Sequence, residues 1–354
     1  MPPPQPSNAS STKPNQKIWF SHAPNTNEFQ QGLLGLTESY LAGNLCIQFP
    51  EVKPLKAKKI EVSITGTEYV YWTDEVFKTR YVHDSIIGQY REETSNETTH
   101  YRHEKQFLNI PSLLWRSNDL IDGATSKKEP YANITQMILP FQISLPNNLP
   151  PSMNLGIGHI YYNVCAKIKR KSKFWKLQGS EKSIKCECLI TRYSPMPSPS
   201  PVRWVKWDDQ EAQKRGLGYD ISTNYSTFGP VNPVVVNLAI KFLTLDLKLT
   251  EIFVGLKEYR LFKASEQVKI EKGYIRELRV SGNQFPGALD AYDEWSYDFK
   301  IDVLEEEVSW ATKTHHIEVY HKVKIKIIFG PGDPKNVKLA RRINIKNILD
   351  VNDI

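Results

Sequence analysis

The sequence predicts an all-β protein built as two tandem antiparallel β-sandwiches. Hydrophobic residues recur at every second position along much of the chain, as expected for strands with one buried and one solvated face. Helical periodicity is nearly absent, and residues 112–119 and 207–214 are the short exceptions. A run of alternating serine and proline near residue 200 divides the strands into two groups, and 354 residues are enough for two domains.

The alternation is clearest where Ile60, Val62 and Ile64 share one face of residues 59–65. Residues 322–327 repeat the pattern with lysine on the opposite face. Further strands are expected at residues 43–49, 68–72, 138–144, 159–169, 184–190, 234–242, 248–259, 269–280, 297–303 and 316–329. Many short strands separated by Gly, Pro and Asn are typical of sandwiches or barrels.

The predicted domain boundary is the segment from Ser194 to Pro201, in which every second residue is proline. Proline removes a backbone donor and favours an extended, solvated chain. We therefore expect a disordered arm at residues 1–16, a first sandwich at 17–193, a linker at 194–215 and a second sandwich at 216–350. No short-period repeat is visible.

Composition and charge limit the function classes. The chain is 40% hydrophobic and 24% charged, the composition of a soluble globular protein, and no run of about 18 apolar residues is present. The amino terminus lacks the apolar core of a signal peptide, so the four cysteines are expected to be thiols. The formal charge of +7 favours acidic partners.

No catalytic motif accompanies this composition. The sequence contains no nucleophile elbow, P-loop, zinc-protease motif or Cys-x-x-Cys pair. Cys186 and Cys188 with His315, His316 and His321 could form a zinc site, but the two cysteines alternate in phase with Ile184 and Ile190, as core residues do. No metal or cofactor is therefore expected. His315 and His321 are expected to be partly buried structural histidines.

Several segments of the first half resemble the arrestin N-terminal domain. Residues 38–49 (ESYLAGNLCIQF) and 55–66 (LKAKKIEVSITG), followed by Trp72, are similar to its opening strands. Residues 139–151 (LPFQISLPNNLPP) and 158–168 (GHIYYNVCAKI) are similar to its later strands.

The second half resembles the fungal alpha-arrestins. The supporting residues are 219–222 (YDIS), 228–230 (FGP), 234–254 and 315–323 (HHIEVYHKV), with Leu256 and Glu258. The resemblance covers about nine tenths of the chain, with its motifs in the family's order. It implies two arrestin-like, immunoglobulin-like sandwiches without enzymatic activity.

The alpha-arrestin resemblance also implies a role and partners. Members of that branch connect membrane transporters and receptors to HECT-type ubiquitin ligases and drive their endocytosis. We therefore expect a cytoplasmic trafficking adaptor, peripheral at the plasma membrane or endosomes, that binds cytosolic cargo tails. The branch usually carries Pro-Pro-x-Tyr motifs, which this chain lacks, so an indirect link to the ligase is considered. The alternative is an arrestin-fold scaffold subunit of an endosomal coat, similar to the retromer subunit.

The best binding candidate is a basic strand end and turn with two aromatic residues. Its members are Lys167, Lys169, Arg170, Lys171, Lys173, Phe174, Trp175 and Lys176. Positive charge next to aromatic anchors suits an acidic tail or an anionic lipid. Lys167 and Lys169 should face solvent while Ile168 packs inward. The simpler interpretation is a solvated turn.

Two further possibilities come from the linker and the charge. Ser194, Ser198 and Ser200 each precede proline, and phosphorylation would add about −1.5 to −2 charges per site. Nucleic-acid binding rests on the basic pI alone, and no recognition motif accompanies it, so no nucleic-acid partner is expected.

An enzyme could use Asp290, Asp293 and Glu294, but nothing in the sequence orients that cluster.

Overall fold

The computed structural model describes residues 17–84, 89–117, 131–170, 181–205, 214, 216–243, 249–281, 294–330 and 336–349. Most of these residues lie in strands, and one turn of 3₁₀ helix is present at Glu305–Glu307. The predicted all-β class is therefore confirmed. In the part of the chain that the structure describes, no helix has the length and apolar content needed to cross a membrane.

The strands up to residue 188 form two sheets. They are β1 (Lys17–His22), β2 (Gln30–Gln31), β3 (Tyr40–Gln48), β4 (Leu55–Asp84), β5 (Gln89–Arg116), β6 (Ala132–Ile134), β7 (Gln136–Ser144), β8 (Met153–Asn154), β9 (Gly158–Arg170) and β10 (Glu181–Cys188). One sheet has β3 paired with β1, β2 and β7, and the other has the order β10-β9-β4-β5, with β6 on β4 and β8 on β9.

The remaining strands form three sheets. They are β11 (Ser194–Pro195), β12 (Val202–Val205), β13 (Leu217–Thr223), β14 (Thr227–Phe228), β15 (Val234–Phe242), β16 (Leu249–Ala264), β17 (Gln267–Ser281), β18 (Glu294–Ile301), β19 (Thr312–Lys313), β20 (Ile317–Phe329), β21 (Val337–Ile345) and β22 (Ile348–Leu349). The orders are β11-β22, β12-β13-β15-β18 and β14-β21-β20-β16-β17, with β19 on β20.

Contacts divide the chain into two compact units that are discontinuous in sequence. The first comprises Met1–Glu68, Lys105–Ser152 and Ile160–Thr191. The second comprises Tyr69–Glu104, Met153–His159 and Arg192–Ile354. The long strands β4, β5 and β9 each contribute residues to both units, so a cut at one point of the sequence does not separate them.

Each unit has a core made by alternating residues of its sheets. In the first unit, Leu45 of β3, Val62 of β4 and Phe141 of β7 are at most 5% exposed. In the second unit, β15 buries alternate residues from Val234 to Phe242, and these join residues of β16, β20 and β21 in one hydrophobic cluster. Burial of this apolar surface is the main favourable term in folding.

The Ser/Pro-rich segment differs from the extended, solvated linker that was expected. Ser194 and Pro195 pair in parallel with Ile348 and Leu349. Val202–Val205 pairs antiparallel with β13, with a register shift after Arg203. Both strands occupy sheet edges, where a missing backbone donor is tolerated. The segment expected to be helical at residues 112–119 is also different, because residues 112–116 belong to β5.

Candidate partner-binding faces

The basic turn predicted from the sequence lies only partly among the described residues. Lys167 and Lys169 are exposed on β9, and Ile168 between them is fully buried, so the predicted alternation is confirmed. Arg170, at the end of the strand, is half-buried. Lys171, Lys173, Phe174, Trp175 and Lys176 lie outside the described residues.

The register with β10 shows what surrounds the two exposed lysines. Lys169 lies opposite Glu181 and Lys167 lies opposite Ser183. Directly opposed residues on one face of an antiparallel pair are close enough to interact. Part of the positive charge at this strand end is therefore offset by a neighbouring carboxylate.

The three Ser-Pro serines have different environments. Ser194 is half-buried, and its backbone N–H donates to the carbonyl of Asn347 at 2.8 Å. Ser198 and Ser200 are exposed. The backbone N–H of Ser200 donates to the carbonyl of Asn224 at 2.9 Å. A modifying enzyme therefore has freer access to the side chains of Ser198 and Ser200 than to that of Ser194.

The four cysteines are free thiols, and Cys46, Cys165 and Cys188 are buried. Cys186 is only half-buried, unlike the core position expected for it, because β10 is the edge strand of its sheet. Burial raises the pKa of the Cys188 thiol to about 12 and also raises the pKa of Cys186. Among the described residues, no group of three His, Cys, Asp or Glu side chains has the arrangement of a metal site.

A second and larger basic surface lies on the six-stranded sheet of the second unit. The side chains on its outer side alternate with core residues such as Leu256 and Val323. We call this surface the basic face. Its basic residues are Lys257, Lys263, Lys272, Arg279, Lys322, Lys324, Lys326, Lys338 and Arg342, and its acidic residues are Glu251, Glu277 and Glu318.

Aromatic rings lie between the cations of the basic face. Tyr259 and Tyr320 stack across β16 and β20, with ring centroids 4.9 Å apart and an interplanar angle of 2°. The ammonium of Lys257 lies 4.4 Å from the centroid of the Tyr274 ring. The ammonium of Lys322 lies 5.3 Å from the centroid of the Tyr259 ring. Such cation–π contacts hold the half-buried side chains of Lys257 and Lys322 against the sheet.

A third lysine is held in the same way at the far end of the face. The ammonium of Lys326 lies 5.0 Å from the ring centroid of Phe253, which packs edge-to-face against Tyr274. Gly255 makes this packing possible, because a Cβ atom there would lie 2.7 Å from Cζ of Phe253 and 2.8 Å from Cε1 of Tyr274. The two rings therefore close over a strand position that has no side chain.

The arginines and lysines of the basic face differ in their ion pairing. Arg279 donates to Glu251 at 3.0 Å, and Arg342 donates to Glu318 at 2.8 Å. No described carboxylate forms an ion pair with Lys257, Lys322 or Lys326. These three lysines therefore present charge that is available to an acidic partner.

Sequence reasoning did not identify the basic face, although one sign of it was present. By themselves, the alternating lysines of residues 322–327 indicate only the solvated side of a strand. The other members come from β16, β17 and β21, and the register places Lys257 opposite Lys322 and Tyr259 opposite Tyr320. Pairing between strands distant in sequence cannot be read from the alternation within each strand.

A buried polar network lies on the core side of the same sheet. Oε2 of Glu258 lies 3.1 Å from Nε2 of His321 and accepts the backbone N–H of Ser309 at 2.8 Å. Arg260 donates through Nε to Oε1 of Glu258 at 2.5 Å. Burial raises the pKa of Glu258. The hydrogen bonds from His321 and Ser309 and the charge of Arg260 lower it by more, so the pKa of Glu258 lies below its ordinary value.

The histidines differ in part from the sequence expectation. His321 is fully buried, as a structural histidine should be, whereas His315 is exposed. His315 precedes β20 in a turn in which the N–H of Thr314 donates to the carbonyl of Ile317 at 2.8 Å, so the strand alternation does not extend to it. His316 is instead the buried neighbour, at 8% exposure, and its ring centroid lies 3.6 Å from that of His103.

Comparison with known families bears on the first half of the chain. Residues 39–186 match the family model described as "Arrestin (or S-antigen), N-terminal domain". No curated protein matches the chain. The matched residues contain the motifs that carried the arrestin resemblance in this half, and they fold as antiparallel sheets. This part of the chain, residues 39–186, is therefore similar to the arrestin N-terminal domain.

Proposed function

We propose that this protein is a non-catalytic trafficking adaptor. In this proposal it binds the cytosolic tails of membrane transporters or receptors and promotes their ubiquitination and endocytosis. It acts as a peripheral protein on the cytosolic side of the plasma membrane or of endosomes. The arrestin-like N-terminal domain supports an adaptor fold, and the basic face supplies a surface suited to acidic tails.

The observation that carries the proposal is the set of three lysines held over aromatic rings. The ammonium groups of Lys257, Lys322 and Lys326 lie over the rings of Tyr274, Tyr259 and Phe253, and none of the three pairs with a described carboxylate. Holding a long side chain in place removes part of the entropy cost of binding. A single exposed ion pair is worth at most about 1 kcal/mol, so binding requires several lysines together.

The chemistry of the face selects its partner. The spacing of cations along strands suits an extended segment with several Asp or Glu residues, and the tyrosine rings offer contact area at low entropy cost. The exposed lysines of β9, Lys167 and Lys169, offer a further contact for acidic residues. Anionic lipid could engage the same charges, and a vesicle control separates the two ligands.

Recruitment of the ubiquitin ligase is proposed to be indirect. The sequence contains no Pro-Pro-x-Tyr segment for a ligase WW domain. A second adaptor that carries such a motif, bound elsewhere on the protein, would make the connection. Capture of the intact protein followed by mass spectrometry should then recover ligase only together with that adaptor.

Titration of an acidic peptide against purified protein tests the proposal. We expect charge reversal at three positions, in the variant Lys257→Glu/Lys322→Glu/Lys326→Glu, to weaken binding at least about tenfold, since each lost contact contributes about 0.5–1 kcal/mol. The matched control reverses the exposed Lys17, Lys53 and Lys105, which lie outside the face. Equal loss in both variants would mean that net charge alone attracts the peptide.

Two further measurements separate the face from nonspecific attraction. Affinity of the wild type should fall between low and physiological salt, because exposed charges are screened. Vesicles containing phosphatidylserine should bind more weakly than the peptide at equal charge. If vesicles bind tightly and the peptide does not, the face is a membrane-contact surface and the cargo-tail proposal fails.

A further inference from the structure

Among the described strands, β17 is the last strand of its sheet and pairs on one side only. It pairs with β16 along its length, and no other described strand pairs with it. Val268 and Ile270 are 51% and 55% exposed on its outer side. On its core side, Glu271, Gly273 and Ile275 line an open cleft of about 510 Å³. The edge is therefore open on its outer side at Val268 and Ile270 and on its core side along this cleft.

Exposed edge strands normally carry features that oppose further pairing. β17 has charged residues, and its register shifts opposite Leu256 and Lys257, which leaves Ile275 outside the pairing. The strand is regular from Gln267 to Tyr274, between the turn that contains Ser265 and this bulge. Ile270 lies near the middle of the regular stretch.

We propose that two copies of this protein associate through β17, antiparallel and with Ile270 opposite Ile270 of the second copy. In this register Lys269 lies opposite Glu271 of the second copy, and Glu271 lies opposite its Lys269. Opposed residues of an antiparallel pair share a face and stand about 4.5–5.5 Å apart at Cβ. Each dimer therefore forms two Lys–Glu pairs around a central pair of isoleucines.

Registers centred on the three neighbouring charged residues are less favourable. An axis at Lys269 or Lys272 would place two ammonium groups opposite each other, and an axis at Glu271 would place two carboxylates opposite each other. Directly opposed like charges destabilise a strand pair. The axis at Ile270 also places Val268 opposite Lys272 of the second copy, where the lysine stem can cover the valine.

The charges on this edge remain able to form the new pairs. Glu271 has no ion-pair partner among the described residues, although its register neighbour is Arg260. Lys269 donates to Asp74 at 3.1 Å, and an ammonium group has three donors, so it can bind a second carboxylate. Self-complementary charge about Ile270 identifies a second copy as the occupant, whereas a foreign strand would need the same pattern by coincidence.

The association is independent of the adaptor proposal. Lys269 and Glu271 lie opposite Phe262 and Arg260 on the core side of the sheet, away from the basic face. Substitutions at these two positions should leave binding of the acidic peptide by each copy unchanged. Failure of the dimer and failure of peptide binding are therefore distinguishable.

Sedimentation equilibrium of the full chain, with protein from about micromolar to about millimolar concentration, tests the inference in the range of weak interfaces. We expect a monomer–dimer equilibrium in the wild type. Lys269→Glu and Glu271→Lys should each weaken self-association at least about tenfold, because each creates two like-charged pairs. The double variant Lys269→Glu/Glu271→Lys should restore it, and a mixture of the two single variants should form heterodimers.

The controls make the outcome decisive. Lys263→Glu, on the neighbouring strand, changes the net charge by the same amount as Lys269→Glu and should leave the dimer intact. Lys263→Glu should melt like the wild type. Lys269→Glu and Glu271→Lys should melt slightly lower, because the first loses its ion pair with Asp74 and the second places a lysine opposite Arg260. A wild type that stays monomeric throughout, or a double variant as weak as the single variants, would overturn the proposed association.

Discussion

Glu258 and His321 face each other across β16 and β20 on the core side of the sheet, with Oε2 and Nε2 3.1 Å apart. Glu258 is 5% exposed and His321 is fully buried. The pair lies directly behind the register neighbours of the basic face, Lys257 opposite Lys322 and Tyr259 opposite Tyr320. The same two strands therefore carry a buried polar network on one side and the proposed binding surface on the other.

Removing the carboxylate of Glu258 should destabilise the second unit. In Glu258→Ala, His321 and Arg260 lose their acceptor inside a poorly solvated site. We expect a loss of about 3–5 kcal/mol in the free energy of unfolding, as for other broken buried pairs. Urea denaturation measures it. The matched control, Asp302→Ala, removes a carboxylate from the exposed pair with Lys300 and should lower the free energy of unfolding by less than about 1 kcal/mol. Equal losses in the two variants would show that burial does not strengthen the contribution of Glu258.

Acidification should remove the stabilisation that Glu258 provides. Because the pKa of Glu258 is lower in the folded protein than its ordinary value, its stabilisation is complete above the unfolded pKa of about 4.3. It is lost as pH falls through the folded pKa. The difference in free energy of unfolding between wild type and Glu258→Gln should therefore be constant from neutral pH to about pH 5 and should shrink below about pH 4. A difference independent of pH down to acid unfolding would exclude this origin.

The thiols of β10 should differ in both stability effect and reactivity. Cys188→Ser should cost about 1–3 kcal/mol by burying a hydroxyl, whereas Cys186→Ser should cost less because Cys186 is half-buried. With a pKa of about 12, Cys188 should alkylate far more slowly than Cys186 at mildly basic pH, as measured by mass spectrometry of intact and digested protein. Equal alkylation rates of the two thiols in the native state would contradict the assigned burial.

Gly158 should be essential at the start of β9. A Cβ atom at this position would lie 2.3 Å from Cε1 of Phe262, which is fully buried. Gly158→Ala should therefore destabilise the protein by about 1–3 kcal/mol through overpacking. The double variant Gly158→Ala/Phe262→Leu should lose less than the sum of the two single losses in thermal or urea denaturation. Strict additivity would show that the two residues do not compete for the same space.

Phosphorylation by a proline-directed kinase should distinguish the three serines. We expect Ser198 and Ser200 to be modified faster than Ser194 in the folded protein, because Ser194 is half-buried in a strand pair with Ile348. Time-resolved mass spectrometry measures the occupancy of each site. A peptide spanning residues 190–203 is the control, and in it the phosphorylation rates of the three serines should be closer together. If the peptide shows the same order and spread of rates as the protein, local sequence and not burial sets the kinase's preference.

Much of the fold could be predicted from local patterns. Ile60, Val62 and Ile64 alternate with polar residues, and each is fully buried in β4. Strand alternation has a period of two regardless of partner, so it is visible before the fold is known. The Ser/Pro-rich segment was harder, because short edge pairing such as Ser194 with Ile348 depends on a strand more than a hundred residues away.

The sequence by itself determined the all-β class, the arrestin resemblance and the solvent-facing positions of Lys167 and Lys169. Each of these follows from residues that are close together in the chain. The tertiary structure alone decided that Lys257 joins Lys322, that Glu258 faces His321, and that β17, among the described strands, pairs on one side only. The physical reason is register: one strand's alternation states which residues share a face, but only pairing between distant strands decides which of them meet.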